Sequence, residues 1–398
     1  MRGYKVNALV GQSGGPTSAI NATLCGVISG AYKNVGKLYG MKNGIQGLLE
    51  NRLVELNYLF GNERELSLLE STPGAALGSC RLRLPDDLDS VTYKRIFEKL
   101  DQYQIGYFFY IGGNDSMDTV AKLSAYSKKN SCGVSIIGIP KTIDNDLMLT
   151  DHTPGYGSSA KLVATSVCEL WKDISSYKLS SVTILEVMGR DTGWLGCACA
   201  LPFYQFGYGC SLIYLPESPF SIDAFLGDLE RELRHGTPVL VGVSEGINYS
   251  RSKSTQDSFG NKALAGVGRM LEDEVKKALK CKARTVELSL VQRCASHIAS
   301  MTDLQESKEI GEASVKMAFE GKSGKMSAFV RRNGDYGVDI VDVDAYLVAN
   351  KIKYVPNNFI NDKKNFVTED FVRYASPLIN GERVTENEGG IPVHFQLR

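Results

Sequence analysis

Five short runs of β-branched and aromatic residues, each ending at once in a glycine-rich or acidic motif, constrain this chain more than any other feature. Val6–Val10 leads into Gly11-Gln12-Ser13-Gly14-Gly15-Pro16, and Tyr107–Ile111 into Gly112-Gly113-Asn114-Asp115-Ser116. Val134–Ile139 leads into Pro140-Lys141-Thr142-Ile143-Asp144-Asn145-Asp146. Val182–Val187 precedes Met188-Gly189-Arg190-Asp191, and Val239–Val243 precedes Ser244-Glu245-Gly246. Between them lie segments with apolar residues at helical spacing, such as Asp223–Leu233 and Leu264–Leu279. Strands alternating with helices predict an α/β chain with mainly parallel sheets and helices on both faces. The polar motifs fall at the carboxyl ends of the strands, where open α/β sheets form ligand crevices. One such motif is ordinary, because loops are polar; five in one chain argue for a binding cleft.

A boundary between two α/β units is expected near Pro154-Gly155-Tyr156-Gly157. Ser250–Ser258 is polar throughout and reads as a surface loop. In the last fifty residues, Asn357-Asn358 and Asp362-Lys363-Lys364 suggest turns rather than a further catalytic unit.

Lys+Arg and Asp+Glu each total 45, so no global basic field favours nucleic acid or a membrane surface. Leu195–Phe206 is the longest apolar stretch, too short to span a bilayer and broken by Pro202. The opening residues run directly into Val6–Val10 without a signal-peptide core. Nine cysteines are scattered without CxxC spacing, and the Cys197/Cys199 pair reads as core packing. These features together predict a cytoplasmic enzyme. His152, His235, His297 and His394 show no ligand spacing and are assigned no chemistry.

The first motif sets Gly14 and Gly15 between a strand and a helix opening at Thr17-Ser18. Glycines let backbone N–H groups approach an anion, and a helix N-terminus adds a favourable dipole. The spacing is neither that of a dinucleotide fold nor that of a Walker ATPase. The second motif repeats the pattern at Gly113 and adds Asp115 beside the helix start, as an N-cap or as a partner for Mg²⁺. In the third, Asp144 and Asp146 are two residues apart in a segment read as extended, which points both the same way, and Lys141 precedes them. Phosphoryl transfer needs a base for the attacking hydroxyl, a metal, and cationic charge for the phosphate oxygens. Arg190, Arg284, Arg293 and Arg81 are candidates for a sugar phosphate or the transferring phosphate, because guanidinium forks match phosphate oxygens. Arg284 and Arg293 bracket a strand-like Val286–Val291, and Glu245 either accepts from sugar hydroxyls or caps a helix.

Taken in order, the glycine loop, GGNDS, PKTIDND, MGR, SEG and QR motifs resemble the phosphofructokinase family over Val6 to about Arg293. GQSGGPT and the extended C-terminus most resemble its bacterial long-chain branch, which includes pyrophosphate-dependent enzymes. The resemblance implies two Rossmann-like lobes with the active site in the cleft between them. It assigns residues 1–155 plus about 292–345 to a donor-binding lobe and 156–291 plus about 346–398 to a fructose 6-phosphate lobe.

The resemblance further implies Asp144 as general base for the C1 hydroxyl, with Thr142 and Ile143 beside it on fructose 6-phosphate. Met188, Gly189 and Arg190 would line the sugar site, Arg190 also stabilising transferred charge, and Glu245 would bind hydroxyls. Arg284 and Arg293 would hold the 6-phosphate, Arg284 reaching in from a neighbouring subunit of a homodimer or homotetramer. Gly14, Gly15, Arg81, Gly113, Asp115 and Lys141 would face the donor, and Asn114, Asp115 and Asp146 would attend Mg²⁺. Asn114 stands where many ATP-using relatives carry a metal-binding aspartate. Those relatives have glycine at the positions of Asp115 and Lys141, leaving room for a nucleotide. A carboxylate at 115 would repel an α-phosphate, and Lys141 would offset the charge of a compact pyrophosphate. The expected reaction is therefore reversible transfer from pyrophosphate to fructose 6-phosphate. The alternatives are an ATP-dependent kinase of the same family and a catalytically silent sugar-phosphate-binding subunit.

Overall fold

The structure, a computed structural model, describes residues 6–177, 179–249, 255–256, 262–263 and 266–397. In chain order its strands are β1 (Asn7–Gln12), β2 (Leu38–Met41), β3 (Leu53–Glu55), β4 (Ile105–Gly112), β5 (Ser135–Pro140), β6 (Ser181–Val187) and β7 (Leu212–Tyr214). They continue as β8 (Val239–Ser244), β9 (Thr255–Gln256), β10 (Lys262–Ala263), β11 (Lys282–Glu287), β12 (Lys325–Arg331) and β13 (Val338–Asp344). The chain divides into two compact units. One comprises residues through Ser158, Arg293–Ile352 and those from Asn380 on; the other comprises Ser159–Gln292 and Lys353–Ile379.

The first unit holds a seven-stranded sheet in the order β13-β12-β5-β4-β1-β2-β3. Strands β12 through β2 run parallel, and only the edges β13 and β3 are antiparallel. Successive residues of a strand face opposite sides of its sheet, and the central strands bury both sides. Ala8, Val10, Phe109 and Ile111 pack into one cluster with the helices Ile20–Ala31 and Met301–Phe319. Leu9, Phe108 and Tyr110 pack into another with the helices Val91–Gln102 and Asn114–Lys129. Near-continuous hydrophobic strands are what a parallel sheet covered on both faces requires.

The two helices on the first face cross with almost no side chain between them. A Cβ on Gly26 would lie 2.0 Å from the Lys308 carbonyl oxygen, and one on Gly311 would lie 2.3 Å from the Thr23 oxygen. Both obstacles are backbone, so neither can swing aside. Gly311→Ala is expected to destabilise the protein by about 3 kcal/mol, at the upper end of ordinary overpacking costs. The denaturant midpoint would report it, with little change in kcat for the molecules that remain folded.

The second unit has a four-stranded all-parallel sheet, β11-β6-β8-β7, covered by the helices Ile222–Leu233 and Val267–Leu279. Strand β9, which pairs antiparallel with β10, falls where a surface loop was expected over Ser250–Ser258; residues 250–254 and 257–258 of that expectation lie outside the described residues. The strand expected over Val286–Val291 ends at Glu287, because Ser289 turns into the left-handed region (φ 42°) and starts a 3₁₀ turn, Ser289–Arg293.

The C-terminal residues also differ from expectation. Residues 346–352 and 380–397 belong with the first unit, not the second. Val348 is buried beside Met117 and Leu147. Arg383 pairs with Glu70 at 2.6 Å, and the Phe395 N–H donates to Thr72 Oγ1 at 2.8 Å.

Candidate active site

Because β5, β4 and β1 are adjacent and parallel, the loops that follow them leave the same edge of the first sheet side by side. The order of the strands thus gathers three motifs that are far apart in sequence. Gly14 sits at φ 76°, a conformation glycine adopts without strain. Its loop is tied to the segment at 79–80: Ser79 Oγ donates to the Gly14 carbonyl at 2.6 Å and Ser13 Oγ to that of Cys80 at 3.2 Å. Gln12 and Asn21 hold the preceding stretch, the Gln12 amide bonding Asn21 Oδ1 and accepting from Leu77 N, while Asn21 Nδ2 donates to Thr72 O and Gly74 O.

Lys141 is the centre of this edge. Its side chain is 2% exposed, and Nζ donates to the Gly15 carbonyl at 2.5 Å. Nζ also lies 3.3 Å from where a Gly14 Cβ would be, and Arg293 Nη1 lies 3.0 Å from where a Gly15 Cβ would be. The two glycines leave the space that these cations occupy. Burial lowers the Lys141 pKa to about 8; Asp144 opposes the shift, and Arg293 adds to it, followed more weakly by an opposing Asp146 and by Arg81. Lys141 and Arg293 stand together against the glycine loop, and Arg81 also acts on the ammonium; a polyanion would relieve the cost of crowding that charge.

Along 141–148 burial alternates: Lys141, Ile143, Asn145 and Leu147 face inward while Thr142, Asp144 and Asp146 face the open side. The segment is not simply extended, since Asn145 takes φ 52° between the two carboxylates. The Thr142 hydroxyl donates to Asp144 Oδ2 at 3.3 Å and accepts from Asp144 N at 3.1 Å, which fixes the carboxylate. Gly113 precedes the helix Asn114–Lys129, whose first turn carries Asp115.

In the second unit, β6 and β8 are neighbours, so Met188-Gly189-Arg190 and Glu245 emerge together. Gly189 N donates to Glu245 Oε1 at 3.4 Å, and Met188 N donates to Gln292 Oε1 at 3.1 Å. Arg190 is exposed.

The family model for phosphofructokinase matches residues 7–318. The chain belongs to the phosphofructokinase family. The pyrophosphate–fructose 6-phosphate 1-phosphotransferase of Halomonas elongata is 37% identical over 398 residues, covering 97% of this chain and 94% of its own. The protein of the same name from Methylococcus capsulatus is 37% identical over 403 residues, covering 98% and 96%. The crystal structure of the pyrophosphate-dependent phosphofructokinase of Marinobacter aquaeolei matches with a TM-score of 0.89 at 38% identity, over 99% of this chain and 96% of that one.

In this phosphofructokinase not every expected residue reaches its loop edge. Arg284 lies within β11 opposite Thr183, three residues, or about 10 Å, short of the strand's carboxyl end at Glu287. Its Nε donates to Thr183 Oγ1 at 3.2 Å and its Nη2 to Asp173 Oδ2 at 3.1 Å. Arg293, assigned to the 6-phosphate, stands against Gly15 in the first unit. Asn114, expected to attend Mg²⁺, uses both ends of its amide on backbone, donating to Lys351 O at 2.5 Å and accepting from Asn350 N, and so tethers 350–351.

Arg83 was missed. Its Nη2 lies 3.2 Å from Asp115 Oδ1, at the helix start. The signal was available: Arg81 and Arg83 are two apart in a stretch without helix, and both are exposed. No helix among the described residues is long and apolar enough to cross a membrane.

Proposed function

We propose that this phosphofructokinase transfers a phosphoryl group from pyrophosphate to the C1 hydroxyl of fructose 6-phosphate, giving phosphate and fructose 1,6-bisphosphate, in either direction. The observation that carries the donor choice is Lys141: a buried ammonium against the Gly14-Gly15 loop, occupying the ground that a larger donor would need. Asp115 with Arg83, Arg81 and the N–H groups at Gly113 complete the donor side. The first unit then carries the donor and the second the sugar, gripped by Met188, Gly189, Arg190 and Glu245. Arg284, short of its own chain's edge, serves a second copy, so the active form is at least a dimer.

Asp144 takes the proton of the C1 hydroxyl as that oxygen attacks the terminal phosphorus, with Thr142 holding the carboxylate and the buried Ile143 anchoring the segment between them. Lys141, Arg293 and Arg190 stabilise charge on the moving phosphoryl group, where a loose transition state makes positioning and electrostatics the main contributions. Among the described residues no group of three or more His, Cys, Asp or Glu is disposed to hold a metal. Mg²⁺ keeps its waters and binds through substrate phosphates with one or two carboxylates. Asp115 and Asp146 would be those carboxylates, and the ion would neutralise donor charge.

Forward and reverse assays test the reaction directly, by fructose 1,6-bisphosphate formed from pyrophosphate and by pyrophosphate formed from phosphate. The site also sets a pH dependence. Burial depresses the Lys141 pKa to about 8, so its cation is present below that pH and lost as pH rises through it. The pyrophosphate KM is expected to climb above about pH 8, approaching tenfold per pH unit, while the fructose 6-phosphate KM stays level. A flat pyrophosphate KM up to pH 9.5 would remove Lys141 from donor binding.

A further inference from the structure

The loop carrying Asp144 is held by a buried charged cluster that none of these roles uses. His152 is 2% exposed and has a carboxylate at each ring nitrogen: Nδ1 lies 2.9 Å from Asp151 Oδ1 and Nε2 lies 2.7 Å from Glu306 Oε2. A neutral imidazole has one N–H, so only the imidazolium satisfies both oxygens. Burial opposes that charge, but hydrogen bonds to Asp151 and Glu306 outweigh it and raise the ring's pKa. The ring stacks on Phe329 with centroids 4.6 Å apart. Around it, Arg331 donates to Asp151 from Nε at 3.2 Å and Nη2 at 2.9 Å, and the Tyr336 hydroxyl donates to Glu306 Oε1 at 2.7 Å. Asp303, one helical turn before Glu306, also acts on the ring's charge and accepts from Gly155 N at 2.8 Å and Ser158 N at 2.9 Å.

This cluster is bolted to the reacting loop. Thr142 N donates to Pro154 O at 3.2 Å, Thr153 Oγ1 donates to Thr142 O at 2.8 Å, and Thr142 bridges Gly155. The far limb is fastened to β12 as well: Asp151 N donates to Phe329 O at 2.9 Å, and Phe329 N donates to Thr150 Oγ1 at 3.0 Å. Thr142 in turn holds Asp144.

We propose that His152 is a positioning residue for phosphoryl transfer: clamped as an imidazolium between Asp151 and Glu306, it fixes residues 150–155 and, through Thr142, the carboxylate of Asp144. The inference rests on Asp144 being the base. Because the clamp needs its proton, the loop is ordered at low pH and loosens as pH rises through the folded pKa of His152.

Glu306→Gln tests it, keeping size and an acceptor oxygen while removing one of the two charges that hold the proton. At neutral pH, kcat is expected to fall roughly 10- to 100-fold, the range a displacement of about 1 Å costs, with both KM values within about twofold. Near pH 6, where a less assisted histidine regains its proton, kcat should return toward wild type. A lower unfolding midpoint with an unchanged kcat–pH profile would mean a purely structural role and overturn the proposal. Should the variant not fold, amide exchange of wild type decides. Peptides spanning 142–155 should lose protection at alkaline pH beyond the intrinsic rate increase, with β4 unaffected, and pH-independent protection there would refute the clamp. A wild-type enzyme inactive with pyrophosphate and fructose 6-phosphate would sink the functional reading instead, leaving the exchange result to stand by itself.

Discussion

Replacing Asp144 by asparagine is expected to lower kcat about a thousandfold, within the range that general-base catalysis supplies, while fructose 6-phosphate binds with nearly unchanged affinity. Asparagine matches the carboxylate in size and keeps an oxygen for the Thr142 hydroxyl, which now donates to Oδ2 at 3.3 Å. What it cannot do is accept the C1 proton. The residue is only half-buried, so the substitution should not disturb the fold. Calorimetry with fructose 6-phosphate separates binding from turnover. A loss of less than tenfold would shift the base role elsewhere, and Asp146→Asn assayed in parallel would identify its neighbour as the replacement.

The paired substitution Asp115→Gly with Lys141→Gly should have the second large effect, in opposite directions for two donors. Removing the buried Lys141 ammonium should cost pyrophosphate roughly 10²- to 10³-fold in kcat/KM, as truncating one member of a desolvated charge contact does. The same change vacates space beside Gly14 and Gly15, and Asp115→Gly removes the carboxylate that now pairs with Arg83. ATP turnover should rise from near zero to a measurable rate. Each single substitution separates the terms: Lys141→Gly alone should weaken pyrophosphate, and Asp115→Gly alone should release Arg83. A double variant that still refuses ATP would mean that bulk and charge at these two positions do not decide the donor.

The strands β1, β4, β5, β6 and β8 and the loops after them were readable because each signal is local: a hydrophobic run followed by glycine or acid. The pairing of Asp144 with Asp146 on the open side was readable for the same reason, although Asn145 reaches it through a left-handed turn rather than an extended one. Sheet order was not readable, since no local pattern says that β5, β4 and β1 are neighbours. Partners supplied from afar were equally hidden. Asn114 is held by residues at 350–351, and Glu306 reaches His152 across a gap of 154 residues. A histidine without ligand spacing gave no sign of being gripped by carboxylates on two elements. The return of residues 380–397 to the first unit depends on Thr72 and Glu70, hundreds of positions away, and turn signals near the end of the chain carry nothing about that. Arg83 is the exception: its spacing from Arg81 was local and could have been used.

The central claim, that this phosphofructokinase takes its phosphoryl group from pyrophosphate because Lys141 and Asp115 shape the donor ground, is tested most directly by initial rates. Fructose 6-phosphate and Mg²⁺ would be supplied at saturation, with pyrophosphate and ATP compared in parallel on the wild-type enzyme. The account predicts rapid turnover with pyrophosphate and almost none with ATP. Turnover with ATP equal to or faster than with pyrophosphate would contradict it.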